Sequence, residues 1–523
     1  MLFTTLTLKT LSKFSKQIFI SLRKTMPAGG IVRPAGLVKT VIVATSAILM
    51  VVMTTPHYLQ AQWGKKSKKI VEKEKKEVPL KYGAHREGRR TDPAMNRWRD
   101  YGLGEFIHFG LYSVLGGDYN GMHYSGAAEW IRSWDKLPHE VYDNLYKKFN
   151  PKNFDPEAWA KMAKDMGVKY VTITTKHHDG FCLWPSKYSD FNITKTPYKK
   201  DMIGPMVKAF DKAGIDVYLY FSVMDWHQPN WRYDLKSAAD TVAFNRFKAF
   251  TKNQLTELLT LYPETKGLWF DGTWDNSWKK SGAFSDSLDQ YLKKIRPGLI
   301  IGSRLRADDY GNRHFDANGH LMGDYEQGWE RKIPEDYAAT RGNDWDCVMT
   351  IPQNGWGYAK TWMGHWKTPY ELIEMLAKCV SLDGNFVVNF GPRGDGTFRK
   401  KEVETAAAIG DWMKVNHAAI YNAGYAGWEK QDWGYYTKSR KDGKVYMIVF
   451  NVPINRALKV KPAKNQQIKK AYLLRDNKNL QIEPLDGGEV FIHVESPVHN
   501  QPFVIELETG QGGKAAEGEN KHV

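Results

Sequence analysis

Between about residues 97 and 415 the chain alternates short apolar runs with longer amphipathic ones, and this alternation constrains the fold more than any single motif. Strand-like runs are Phe106–Tyr112, Tyr170–Thr175, Ile215–Ser222, Gly267–Phe270, Leu299–Gly302, Cys347–Ile351 and Phe386–Phe390. Helical runs lie between several of them. Pro156–Met166 sets Ala158, Trp159, Met162, Ala163 and Met166 near one face, and Met202–Ala213, Ala243–Leu261, Ser285–Ile295 and Tyr370–Val380 have similar periodicity. Gly167, Gly214 and Gly384 read as helix stops. Repeated strand–helix units predict a mostly parallel sheet covered on both faces, and their number suits a closed or nearly closed (β/α)8-like barrel. An open doubly wound sheet is the alternative, but no GxGxxG or Walker motif opens any unit.

The pattern changes after a last helix at Glu402–Val415. Tyr446–Phe450, Lys470–Leu474, Val490–Val494 and Phe503–Leu507 are short strands between polar turns. The expected division is a barrel domain over 95–425, an all-β, sandwich-like accessory domain over 426–510 and a polar, Gly-rich tail over 511–523. The net charge of +17 would suggest a nucleic-acid partner if it were spread over the fold. It is not: residues 1–86 hold 16 Lys and Arg against three acids, leaving 59 basic against 55 acidic residues in the remainder. A nearly neutral body argues against a nucleic-acid groove. Residues 41–53 (VIVATSAILMVVM) form an uncharged apolar run behind Lys39, short for a spanning helix and right for the core of an export signal. Residues 1–61 are therefore expected to be a signal peptide, with Met26 a possible true start and Leu59-Gln60-Ala61 a passable cleavage site. Residues 62–94 are expected to be a basic linker and the protein to be secreted or periplasmic without a permanent membrane span, a retained anchor being the alternative. The three cysteines, Cys182, Cys347 and Cys379, supply neither a disulfide framework nor a zinc motif.

In a barrel of this kind chemistry gathers at the C-terminal ends of the strands. The polar residues there are His108, His177-His178-Asp179, Asp225-Trp226-His227, Asp271 and Arg304. Asp271 stands out in Trp269-Phe270-Asp271-Gly272, where an aromatic stem holds a carboxylate at the strand end and Gly272 permits a sharp turn. A plain Asp-Gly turn is the competing reading. Metal binding is the rival use of the histidines. Adjacent His177 and His178 are expected to point to opposite sides of a strand and to make a poor pair for one ion, and no HxH or HExxH spacing occurs. No GxSxG elbow suggests a serine esterase.

His108-Phe109-Gly110-Leu111-Tyr112-Ser113, Ala128-Glu129-Trp130, Lys176-His177-His178-Asp179-Gly180-Phe181, Trp269-Phe270-Asp271-Gly272 and Asn389-Phe390-Gly391-Pro392 together resemble glycoside hydrolase family 29, the α-L-fucosidases. The resemblance covers roughly residues 95–425. It implies a retaining exo-glycosidase without a cofactor, acting on a fucosylated oligosaccharide or glycoconjugate through two carboxyl groups. Asp271 matches the nucleophile. Glu330 is the expected acid/base, with Glu326 the competitor because the segment carries one extra residue near Trp329. His108, Glu129, Trp130, His177, His178 and Arg304 match sugar-binding positions. Trp130, Trp269 or Trp356 would pack on the sugar ring or its methyl group. Relatives acting on α-L-galactosides or sulfated fucose, and a silent carbohydrate binder, are the rival functions.

Overall fold

The computed structural model describes residues 88–306, 314–353, 355–361, 364–495 and 501–511. The expected signal peptide, residues 62–87 of the linker and the tail beyond 511 lie outside them. Among the described residues no helix is long and apolar enough to cross a membrane.

Eight parallel strands form the central sheet: β1 (Leu103–Ile107), β2 (Tyr170–Lys176), β3 (Asp216–Ser222), β4 (Gly267–Asp271), β5 (Ile300–Ile301), β6 (Glu326–Glu330), β7 (Trp345–Thr350) and β8 (Asn385–Phe390). Their spatial order is β5-β4-β3-β2-β1-β8-β7-β6. The sheet curls so that its two edges meet. Asp324 N–H donates to Ile301 O at 2.8 Å and Ser303 N–H to Tyr325 O at 3.1 Å, bridging β5 to β6. Helix α1 (Pro93–Arg99) precedes β1. Helices α2 (Pro156–Met166), α3 (Ile203–Lys212), α4 (Ala238–Leu261), α5 (Gly282–Ile295), α6 (Pro369–Ser381) and α7 (Lys400–Asn416) follow β1, β2, β3, β4, β7 and β8.

Side chains alternate across the strands as the pleat requires. Leu103, Ile107, Val171, Ile173, Val217, Leu219, Leu268 and Phe270 belong to the core shared with the helices. Phe106, Tyr170, Tyr218, Tyr220, Trp269, Tyr325 and Val348 fill the lumen. Both faces are thus buried, which is why these strands read as nearly continuous apolar runs.

Two sequence expectations need correction. Strand β6 (EQGWE) escaped detection because two glutamates and a glycine break any apolar alternation; it is a strand through main-chain pairing with β7. Gly384 is not the stop of α6: the positive φ there belongs to Asp383, at 68°. Gly384 is required for packing, since a Cβ would stand 2.2 Å from the Trp345 ring. Gly167, at φ 93°, does end α2.

The C-terminal region pairs a six-stranded antiparallel sheet with a three-stranded one. Trp428, Trp433, Met447, Leu458, Ile492, Ile505 and Leu507 share their core. It is tied to the barrel by Tyr370 Oη donating to Phe450 O at 2.9 Å and Trp412 Nε1 to Pro502 O at 2.7 Å.

Glu105, between Leu103 and Ile107 on β1, is wholly buried with neither carboxyl oxygen hydrogen-bonded. Burial, and then the charge of Glu402, push its carboxyl well above the ordinary value. The folded protein therefore holds a proton that the unfolded chain releases above about pH 4.3. Stability falls as pH rises from there toward the raised folded pKa. Glu105→Gln should gain on wild type by up to about 1.4 kcal/mol per pH unit in that range. Urea midpoints at pH 5 and 8 check this, and a gap independent of pH would contradict it.

Candidate active site

Asp271 is the last residue of β4, in register with Ser222 at the end of β3. Gly272 turns the chain away at φ 73°, and a Cβ there would lie 2.5 Å from the Met224 Cβ. The Asp271 carboxylate accepts from Tyr220 Oη at 2.8 Å and from a terminal nitrogen of Arg304 at 3.0 Å. His178 Nε2 stands 3.6 Å from the oxygen that Tyr220 holds. Arg304 comes from the turn after β5. Its second terminal nitrogen pairs with Glu330, and its guanidinium lies 5.1 Å over the Trp269 ring. One cation thus spans two carboxylates, from β4 and β6, across the seam where the sheet closes.

A β-bulge turns Glu326 and Glu330 to opposite faces of β6. Glu326 pairs with Trp345 but Trp329 pairs with Cys347, so two residues, Gln327 and Gly328, stand opposite Asp346. Residues four apart on a regular strand face the same way; one extra residue sends them to opposite faces. Glu330 pairs with Val348 of the lumen, and Glu326 with Trp345 of the outer core. Both main-chain groups of Gln327 are pinned from β5. Its N–H donates to Ser303 Oγ at 2.9 Å, and its carbonyl accepts from Arg304 Nε at 3.1 Å.

The two glutamates also differ in their electrostatics. Burial pushes the Glu326 carboxyl up to about 7, an acid-like value on the face turned away from Asp271. Burial also acts to raise Glu330, but Arg304 in contact and Arg331 nearby outweigh it and hold that carboxyl below its ordinary value.

Three histidines crowd the same end. Burial lowers all of them, His108 to about 3, His178 to about 4 and His177 well below its ordinary value, so they are neutral. Their tautomers follow from their partners. Asn389 donates its amide to Trp356 O at 2.7 Å, so its oxygen accepts from His108 Nδ1 at 2.6 Å. Ser222 Oγ donates to Met224 O at 2.6 Å, so it accepts from His178 Nδ1 at 2.7 Å. Nε2 of both rings is left as an acceptor.

The expectation that His177 and His178 diverge does not hold. β2 ends at Lys176, the two histidines lie in the following turn, and their rings are 4.2 Å apart. His177, His178 and Asp271 bring ligand atoms within 4.8 Å of one another, a geometric candidate for a cation. Arg304 already supplies positive charge to that carboxylate.

Glu129 is buried. One oxygen accepts from Gly357 N–H at 2.9 Å, the other has no partner, and burial pushes the carboxyl up to about 7. Trp130 meets the His178 ring edge-on at 4.9 Å. Trp226 and Trp274 lie 5.4 Å from that same ring, so three half-buried indoles surround it. Trp356 packs 5.2 Å from His108. Trp269 lies deeper, stacked on Tyr220 at 5.5 Å with its indole N–H unpartnered.

Asp179 and Asp225, read from the strand ends, are engaged elsewhere. Asp179 accepts from Tyr142, and Asp225 forms a buried ion pair with Lys176. His227 stacks on Phe191 at 4.1 Å. Sequence reading missed Tyr220 and Trp274. Tyr220 sits inside an apolar strand, where its inward register was the available signal. Trp274 follows the Asp271 turn, where a third aromatic in six residues was the hint.

The α-L-fucosidase family model matches residues 69–418. The chain belongs to the α-L-fucosidase family of glycoside hydrolases. It is 27% identical to the α-L-fucosidase of Dictyostelium discoideum over 397 residues, covering 71% of this chain and 81% of that one. It is 28% identical to human tissue α-L-fucosidase over 370 residues, covering 68% and 75%. Its fold matches the family 29 α-L-fucosidase of Bacteroides thetaiotaomicron with a TM-score of 0.80 at 52% identity, covering 83% of this chain and 99% of that one. A structure from the same organism, with a TM-score of 0.79 at 52% identity and covering 83% and 100%, is a covalent intermediate trapped with 2-fluoro-fucosyl fluoride in a Glu→Gln mutant.

In this family member, Arg304→Met should let burial prevail and raise the Glu330 carboxyl. Carboxyl infrared or 13C NMR titration reads the shift, and an unchanged Glu330 would show that Arg304 is not its cause.

Proposed function

We propose that this chain is a retaining exo-α-L-fucosidase that releases terminal α-L-fucose from oligosaccharides or glycoconjugates, with Asp271 as nucleophile and Glu330 as acid/base. The observation that carries this reading is Arg304 joining those two carboxylates at the mouth of the barrel. Groups within reach of one guanidinium suit the ~5–5.5 Å separation of a retaining pair rather than the wider gap that an inverting enzyme leaves for water. The trapped covalent intermediate of the 52% identical relative supports the same course.

In the first step an Asp271 oxygen attacks the anomeric carbon, the bond to the glycosidic oxygen breaks, and Glu330 gives that oxygen its proton. In the second, Glu330 takes a proton from water, the water oxygen bonds to the anomeric carbon, and Asp271 leaves as a carboxylate. Ester formation removes the charge of Asp271 and concentrates Arg304 on Glu330, favouring the ionised form that the second step needs. Arg304 and Tyr220 orient the nucleophile throughout.

The rest of the site suits fucose. Nε2 of His108 and of His178 accept from hydroxyls, as does the unpartnered oxygen of Glu129. Trp130, Trp226 and Trp274 supply an apolar wall for the ring and its methyl group. The apolar run at 41–53 supports export, so the substrate is met outside the cytoplasm.

Asp271→Asn should lower turnover of an aryl α-L-fucoside by at least about 1,000-fold while the protein stays folded. Glu330→Gln should slow poor leaving groups far more than activated aryl ones. With a poor leaving group, kcat/KM should fall as pH rises through the depressed Glu330 pKa, placing the optimum on the acid side. Near-wild-type turnover in Asp271→Asn, or the leaving-group pattern appearing in Glu326→Gln instead, would contradict the assignment.

A further inference from the structure

A buried ion pair lies behind the site, and the mechanism makes no use of it. Lys176 ends β2, and Asp225 stands three residues beyond the end of β3. Both side chains are almost wholly buried, and Lys176 Nζ donates to Asp225 Oδ2 at 2.9 Å. The ammonium also lies 4.4 Å over the Phe221 ring and 5.2 Å from that of Phe250 on α4, so the cation sits in the barrel wall and not among the sugar-facing groups. A buried ion pair adds little net stability over apolar side chains of the same size. Stability therefore does not account for a charge placed there.

The other oxygen of Asp225 does what an apolar side chain could not. Asp225 Oδ1 accepts from the main-chain N–H groups of His227 at 3.1 Å and Gln228 at 2.9 Å, which closes the turn after β3 around Trp226. Within that turn Trp226 N–H donates to His178 O at 2.7 Å. The turns after β2 and β3 are thus locked to each other at His178 and Trp226. They are also packed without slack. Gly180, at φ 80°, faces Asp225 so closely that a Cβ there would stand 2.2 Å from Oδ1 and 3.0 Å from the His227 Cβ. The result is a fixed pair of rings, His178 and Trp226 at 5.4 Å, with Trp130 edge-on to Trp226 at 5.2 Å.

We propose that Asp225, held by Lys176, is a positioning residue that sets Trp226 and the His178 main chain for binding fucose. The inference rests on the fucosidase reading above. Lys176 keeps the carboxylate ionised and turned toward the loop, and the carboxylate holds the two N–H groups that shape the turn. Asp225 touches no sugar; it acts through the two rings that do. Because the turn is tied before the sugar arrives, little ordering is left for binding to supply.

The test measures KM on an aryl α-L-fucoside and the inhibition constant of free fucose. Neither depends on how much of the protein is folded, whereas a merely structural loss lowers apparent kcat alone. Asp225→Ala should raise both constants by about 10-fold, the scale of one lost sugar contact. Asp225→Asn, which keeps an oxygen for the two N–H groups, should stay within about threefold of wild type. In a Trp226→Ala background, adding Asp225→Ala should raise the constants by less than about threefold, since residues acting as a unit are not additive. Asp225→Ser, whose hydroxyl is too short to span both N–H groups, carries the expectations of Asp225→Ala if that variant does not fold. Unchanged constants with a reduced kcat, or the full 10-fold rise in the Trp226→Ala background, would overturn the proposal. Failure of the wild-type protein to cleave the aryl fucoside would instead overturn the fucosidase reading, so the two failures are distinguishable.

Discussion

The Arg304 guanidinium between Asp271 and Glu330 is the interaction on which the site depends. Two carboxylates brought together from β4 and β6 repel each other, and in a partly buried setting that repulsion would drive one to take a proton or turn away. Arg304 removes the conflict by pairing with both, and its planar fork is suited to doing so. The same residue ties its Nε to the Gln327 carbonyl, so charge balance and backbone geometry come from one side chain. Removing it would cost more than one ion pair.

Closing the sheet makes this possible. Glu330 sits on the edge strand β6 and Asp271 on β4, next to the opposite edge, and only curling brings β5 against β6. The two main-chain bonds across that seam lie directly beneath Ser303 and Arg304, so the join is also the support of the site. The bulge in β6 then absorbs one extra residue while Glu330 keeps its inward register against Val348. Glu326, on the other face, is a buried carboxyl that burial pushes up to about 7.

The barrel was legible in the sequence because strands buried on both faces read as unbroken runs of apolar, aromatic and β-branched residues, as most of Tyr170–Lys176 and Asp216–Ser222 do. Strand β6 was not, since it is held by main-chain pairing and carries the site's own charges. Asp271 was legible because an aromatic strand delivers it to a glycine turn. The convergence of His177 and His178 was not, because both lie past the end of the strand at Lys176, where side chains no longer alternate. Tyr220 was hidden in an apolar run, where its hydroxyl gives no sign until the register with β4 is known. The sequence favoured Glu330 with Glu326 as competitor, and only the strand geometry, which no periodicity reveals, turns the first toward Asp271 and the second away from it.

The most direct measurement is covalent trapping. The Glu330→Gln variant, incubated with 2-fluoro-fucosyl fluoride, is digested and its peptides are weighed by mass spectrometry. A single fluorofucosyl adduct on the peptide containing Asp271, absent when Asp271 is changed to Asn, is the expected result. An adduct on another carboxylate, or wild-type hydrolysis of an aryl fucoside with no adduct at all, would contradict Asp271 as the nucleophile and with it the retaining course built on the Arg304 bridge.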